Sequence, residues 1–124
     1  MKVQDFRELE VYKKAFDLQQ KIFRLSKEFP CEELYSLTNQ IRRSSRSIGA
    51  NVAEAWKKRR YVAHFTSKLT DADGEQSETI HWLGTAHACA YISATQCTEL
   101  VALCEEIGRM LGTMIRDANT WCSH

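Results

Sequence analysis

One proline and five glycines in 124 residues leave the chain with few places to break, and nowhere do apolar and polar side chains alternate for long. A sandwich or barrel of short strands needs both features, so the chain is not a β protein. No apolar run approaches the roughly 18–20 residues of a membrane span. The opening MKVQDFRELE is charged and lacks the apolar core of a signal peptide. The five cysteines (Cys31, Cys89, Cys97, Cys104, Cys122) are odd in number and contain no Cys-x-x-Cys pair. They read as reduced, partly buried thiols of a cytoplasmic protein, with some exposure expected at Cys122. A glycine-rich phosphate loop is also missing.

What is present is ordinary in total and unusual in arrangement. The 124 residues make one domain, 1–124, long enough to bury a core without disulfides. Net charge is only +1, but the charges are segregated. Residues 1–36 carry seven bases and seven acids, 42–60 carry seven and one, and 61–124 carry three and eight. The chain therefore offers a basic and an acidic surface, each needing a partner or solvent.

Four helices are expected, at about 5–29, 35–58, 62–90 and 94–118, and hence an all-α, antiparallel up-down-up-down four-helix bundle. In the first, Leu9, Tyr12, Phe16 and Phe23 form one apolar stripe, and Val11, Ala15, Leu18, Ile22 and Leu25 form another beside it. One faces the core and the other needs a cover. Phe29-Pro30 closes this helix, because the residue before proline is pushed out of the α region. The second helix turns Leu34, Leu37, Ile41, Ile48, Val52 and Ala55 toward the core. It must break near Lys58–Tyr61, since otherwise Phe65 and Leu69 would fall out of phase with Ile41 and Ile48. The third points Phe65, Leu69, Ala72, Ile80, Leu83 and Ala86 one way and presents Ala63, Ser67, Thr70, Gly74, Ser77, Gly84 and Ala88 on another side. Ser93 and Gln96 have capping-box spacing and open the fourth helix. There Gly108 and Gly112 suggest close helix contact, and the tail beyond about Ala118 is expected to fray. The expected core is Leu9, Phe16, Phe23, Ile41, Ile48, Val52, Phe65, Leu69, Leu83, Leu100, Ile107 and Leu111. The spare stripe of the first helix and the small-residue side of the third predict a homo-oligomer, with Leu18, Ile22, Gly74 and Ser77 as interface candidates.

Catalytic patterns are weak. Glu78-Thr79-Ile80-His81 has the Glu-x-x-His spacing of di-iron bundles, but a di-iron site needs a second copy and the chain has none. Asp71 and Asp73 diverge on a helix, Ser44, Ser45 and Ser47 have no base placed to activate them, and the cysteines and histidines lack zinc spacing. The expectation is a protein that is not an enzyme and holds no metal or cofactor. The candidate functional residues are the bases Arg42, Arg43, Arg46, Lys57, Lys58, Arg59 and Arg60. Guanidinium groups spaced along a helix edge suit nucleic-acid phosphates, and Tyr61 adds a stacking ring. Equally, Asp71, Glu75 and Glu78 follow closely enough to consume these charges in ion pairs, within or between subunits.

The blocks Leu37-Thr38-Asn39-Gln40-Ile41-Arg42-Arg43 and Ser47-Ile48-Gly49-Ala50-Asn51-Val52-Ala53-Glu54-Ala55 resemble those of the bacterial 23S rRNA intervening-sequence proteins. Tyr12-Lys13-Lys14-Ala15, Arg59-Arg60-Tyr61, His64-Phe65, Leu69 to Glu75 and Glu106 to Gly112 extend the likeness over nearly the whole chain. The resemblance implies an all-α bundle, a ring-like homopentamer and no enzymatic activity. A related group, the accessory proteins of diversity-generating retroelements, works beside a reverse transcriptase and its RNA, so the resemblance also admits RNA or DNA as partner. The cysteine-containing fourth helix and the Trp121-Cys122 tail depart from the family pattern.

Overall fold

Three interruptions divide the chain into long helices. The computed structural model describes residues 2–122. After a 3-10 turn at Phe6–Glu8, helix α1 spans Glu10–Ser26. Pro30 then adopts an extended backbone (φ −56°, ψ 145°), and the chain re-enters helix through a 3-10 turn, Cys31–Glu33, and a π-helical turn, Leu34–Thr38. The Glu33 carboxylate fixes this re-entry by accepting hydrogen bonds from Ser36 Oγ (2.6 Å), the Leu37 N–H (3.4 Å) and the Tyr91 hydroxyl (2.9 Å). Helix α2 follows, Asn39–Lys57. The expected break after it is real: Tyr61 is extended (φ −124°, ψ 115°), and α3 runs Val62–Ala88.

Ala90, at φ 62°, makes the third interruption. The capping box is formed in full, Ser93 Oγ accepting from the Gln96 N–H (3.0 Å) and Gln96 Oε1 from the Ser93 N–H (2.8 Å). Helix α4 spans Ala94–Arg116 and a last turn, α5, Ala118–Trp121. That turn is docked rather than frayed, because the Trp121 ring sits edge-on to Trp56 at 6.2 Å; Ser123 and His124 lie outside the described residues. Cys122 is buried as well, against the expectation of exposure.

Neighbouring helices run antiparallel, as the pairs across each seam show. Arg42 meets Ser26 and Gly49 meets Ala15 between α2 and α1. Ser44 meets Thr79 and Glu54 meets Lys68 between α2 and α3. Cys97 meets Leu83 and Gly108 meets Gln76 between α4 and α3. Lys14 and Glu106, 3.4 Å apart, link α1 to α4. The fold is an all-α four-helix bundle, and none of its described helices is long and apolar enough to cross a membrane.

Leu34, expected on the core side of the second helix, is 47% exposed, because it opens the π-helical turn, whose wider winding shifts the helical phase ahead of α2. Ten of the twelve expected core residues are buried. The two exceptions, Phe16 and Phe23, share one cause. It is the aliphatic stripe of α1, Val11, Ala15, Leu18 and Ile22, that packs inward, and Phe16 is left 45% exposed. Small Ala15 allows α2 to come close at Gly49, whose β-carbon position lies 3.9 Å from Ala15 and 3.4 Å from the Tyr12 ring. The Tyr12 ring lies half-buried at the edge of this seam, and Phe16 is left outside it. Leu18 and Ile22, with no exposed surface, are thus core residues and cannot be subunit contacts. Gly74 and Ser77 are exposed on the small-residue side of α3, where no described residue of another element lies within 4 Å of a β-carbon at Gly74. Gly108 faces Gln76 closely, as expected, but Gly112 faces open space.

Candidate nucleic-acid interface

The seven bases between Arg42 and Arg60 do not form one cluster in space; helix phase and the partners on α1 and α3 divide them. Arg43 faces α3. Its guanidinium donates to Glu75 Oε2 (3.2 Å) and to Glu78 Oε2, which also accepts from Trp82 Nε1 (3.0 Å). These bonds, Trp82 first and Arg43 with it, hold the Glu78 carboxyl below its ordinary range, while the two carboxylates raise the Arg43 pKa. Asp71, the third acid expected to consume arginines, lies 3.9 Å from Lys68 instead. Ion pairing therefore accounts for one of the seven bases among the described residues.

Arg42 and Arg46 face α1, one helical turn apart. Both guanidinium groups lie over the Phe23 ring, at 4.9 and 5.3 Å from its centroid, and Lys27 Nζ joins them at 4.8 Å. Arg42 Nε donates to Ser26 Oγ (2.8 Å), which itself donates to the Phe23 carbonyl (3.0 Å). No carboxylate meets Arg42 or Arg46 among the described residues. A ring face attracts cations but leaves their charge uncancelled, so three positive groups are held together with N–H donors still to spend. Lys57 occupies the same flank of α2 about 16 Å beyond Arg46, with only Ala50 and Ala53 between.

The bases at the α2–α3 turn are arranged differently. Arg59 folds back on Trp56, its guanidinium carbon 3.5 Å from the ring centroid and its Nε donating to the Trp56 carbonyl (2.8 Å). Lys58 and Arg60 are exposed, Arg60 lying 5.9 Å from the Tyr61 ring, which packs on His64 at 5.2 Å. Among the described residues no further ligand groups with the Glu-x-x-His pair: Glu78 serves Arg43 and Trp82, and the exposed His81 ring lies 4.7 Å from Trp82.

Phe16 and Phe23 of α1, expected in the core, instead complete the basic surface. Phe23 seats the arginines. About two turns away along α1, Phe16 lies exposed with Tyr12 stacked on it (6.2 Å, 27°), and Phe6 meets Tyr12 edge-on at 4.9 Å. The signal available in the sequence was Gln19, Gln20 and Lys27, polar residues sharing the face of Tyr12, Phe16 and Phe23, whereas the aliphatic stripe has only Ser26.

Residues 7–113 match the model of the 23S rRNA-intervening sequence protein family. The chain belongs to that family. It is also similar to a crystal structure from Bacteroides thetaiotaomicron, described as a protein with unknown function from the S23 ribosomal protein family. That likeness has 32% identity and a TM-score of 0.77, covering 86% of this chain and 95% of the other. No curated protein matches.

Proposed function

We propose that the protein is a non-enzymatic, homo-oligomeric binding protein that contacts RNA or DNA phosphates through the basic edge of α2. The observation that carries this reading is the state of Arg42 and Arg46. They are held over Phe23, and no described carboxylate neutralises them. A pair of guanidinium groups fixed one turn apart, with their charge intact, is suited to successive phosphate oxygens. Lys57, Lys58 and Arg60 continue the positive surface. The competing reading, a structural or interaction module whose arginines pair within the assembly, draws support from Arg43 with Glu75 and Glu78. The homopentamer rests on the family resemblance, and exposed Gly74 and Ser77 remain contact candidates.

The reading is tested by titrating labelled RNA and DNA across a salt series, with light scattering on the same samples. If Arg42, Arg46, Lys57, Lys58 and Arg60 all reach phosphates, log K should fall against log salt with a slope of about −3.5 to −4.5. Arg46→Glu combined with Lys57→Glu should abolish binding while leaving the oligomer unchanged. Dissociation of the oligomer by that double variant supports the ion-pair module instead, and no binding by the parent at low salt ends the nucleic-acid reading.

A further inference from the structure

The face that presents the arginines is aromatic along its length, and this narrows the form of nucleic acid it suits. Tyr12, Phe16 and Phe23 share one side of α1, accompanied by Gln19, Gln20 and Lys27 and by no acid. The facing flank of α2 carries Arg42, Arg46, Ala50, Ala53 and Lys57, likewise without an acid. Nearby carboxylates are engaged elsewhere: Asp17 with Lys21 (3.0 Å), Glu54 with Lys68 (3.1 Å), and Asp5, beyond the Lys57 end, with Arg7 (2.8 Å).

The rings divide the work. Phe23 is covered by three cations and cannot take a base; it positions Arg42 and Arg46. Phe16 is 45% exposed, and the Tyr12 ring stacked beside it fixes its orientation. A large exposed aromatic, about two turns along α1 from the ring that holds three cations, meets the two demands of an unpaired strand: a charge track for its backbone and a flat apolar surface for a base. A duplex makes only the first demand, since its bases are already stacked.

We propose that this α1–α2 face binds a single-stranded stretch of nucleic acid, with phosphates on Arg42 and Arg46 and a base stacked on Phe16. The proposal rests on the phosphate-binding reading above and adds to it the choice of strand. Single strands bind more tightly than a duplex of equal length, and pyrimidine and purine strands bind alike, because stacking does not read base edges.

The test uses fluorescence anisotropy with a labelled oligouridine, the matching oligodeoxythymidine and a duplex of the same length, on the parent, Phe16→Ala, Phe16→Trp and Arg46→Glu/Lys57→Glu. Thermal melting and light scattering accompany every variant. Phe16→Ala should weaken single-strand binding about tenfold, leave duplex binding and the salt slope unchanged, and be rescued by Phe16→Trp. The double charge variant should abolish binding of both. Equal binding of single strand and duplex, with Phe16→Ala silent, overturns the proposal and leaves the phosphate reading standing. Absence of binding to any probe by the parent overturns both. A change of oligomeric state in Phe16→Ala assigns the ring to contact between copies of the chain and likewise overturns the proposal.

Discussion

At Ala90 the chain makes a turn that would suit glycine better. The Tyr91 N–H donates to the Ala86 carbonyl and the Ala90 N–H to the His87 carbonyl, both at 2.9 Å, the paired bonds of a Schellman end. The residue between them must take a positive φ, which costs an L-residue about 1–2 kcal/mol. Glycine removes that strain but gives the unfolded chain more freedom, an opposing effect of about 0.5–1 kcal/mol. Ala90→Gly should therefore stabilise the protein by about 0.5–1 kcal/mol, seen as a rise of about 2–4 °C in Tm. A fall in Tm would mean that the β-carbon makes packing contacts worth more than the strain.

Helix α2 shows how one element serves two environments. Its buried side, Ile41, Ser44, Ser45, Ile48, Val52 and Ala55, includes hydroxyls that bond Thr79 Oγ1 and the helix's own carbonyls, so no polar group on that side is stranded. About half a turn away, Ala50 is exposed on the basic flank. An aspartate at the two positions should then have very unequal consequences. Ile48→Asp buries an unpaired charge and should cost about 3–5 kcal/mol or more, enough to unfold many domains. Ala50→Asp should cost about 1 kcal/mol or less. Circular dichroism melts of the two variants side by side check the phase of α2, and equal melting temperatures would contradict it.

Across the whole molecule, the shifted groups set a pH window for stability. The Arg7 hydrogen bonds lower the Asp5 carboxyl to about 2, Ser36 and then Tyr91 lower Glu33, and Trp82 and then Arg43 lower Glu78. Below about pH 4–5 the unfolded chain takes up protons that the native carboxylates still refuse, so their stabilisation is lost as pH falls through the native values. On the alkaline side, the bond to Glu33 raises the Tyr91 hydroxyl to about 12, and burial raises the Cys104 thiol to about 12. The unfolded tyrosine and thiol give up protons first, and the stabilisation is lost between about pH 9 and 12. Denaturant melts should show a plateau between about pH 5 and 9, falling on both sides. The Tyr91–Glu33 bond ties the α3–α4 turn to the α1–α2 turn, so Tyr91→Phe should remove part of the alkaline fall without altering the acid limb at Glu78.

Much of this architecture was legible in the chain because it follows from short-range rules. Proline at position 30, the phase change between Ile48 and Phe65, and Ser93 with Gln96 each act within a few residues, so they mark the helix ends before any packing is known. The buried faces of α2, α3 and α4 were equally plain, each having one continuous apolar side. Helix α1 has two, and choosing between them required the neighbour. The close approach of α2 at Ala15 and Gly49 seats the aliphatic stripe inward, with Leu18 and Ile22 in the core, and leaves Tyr12 and Phe23 half-buried and Phe16 exposed. The fate of the arginines was undecided for the same reason. One residue of difference along a helix is a rotation of about 100°, enough to carry Arg43 to Glu75 and Glu78 on α3 while Arg42 meets Phe23 on α1. Composition places the positive charge in one segment, but only the arrangement of helices around that segment determines which charges are neutralised and which stay available.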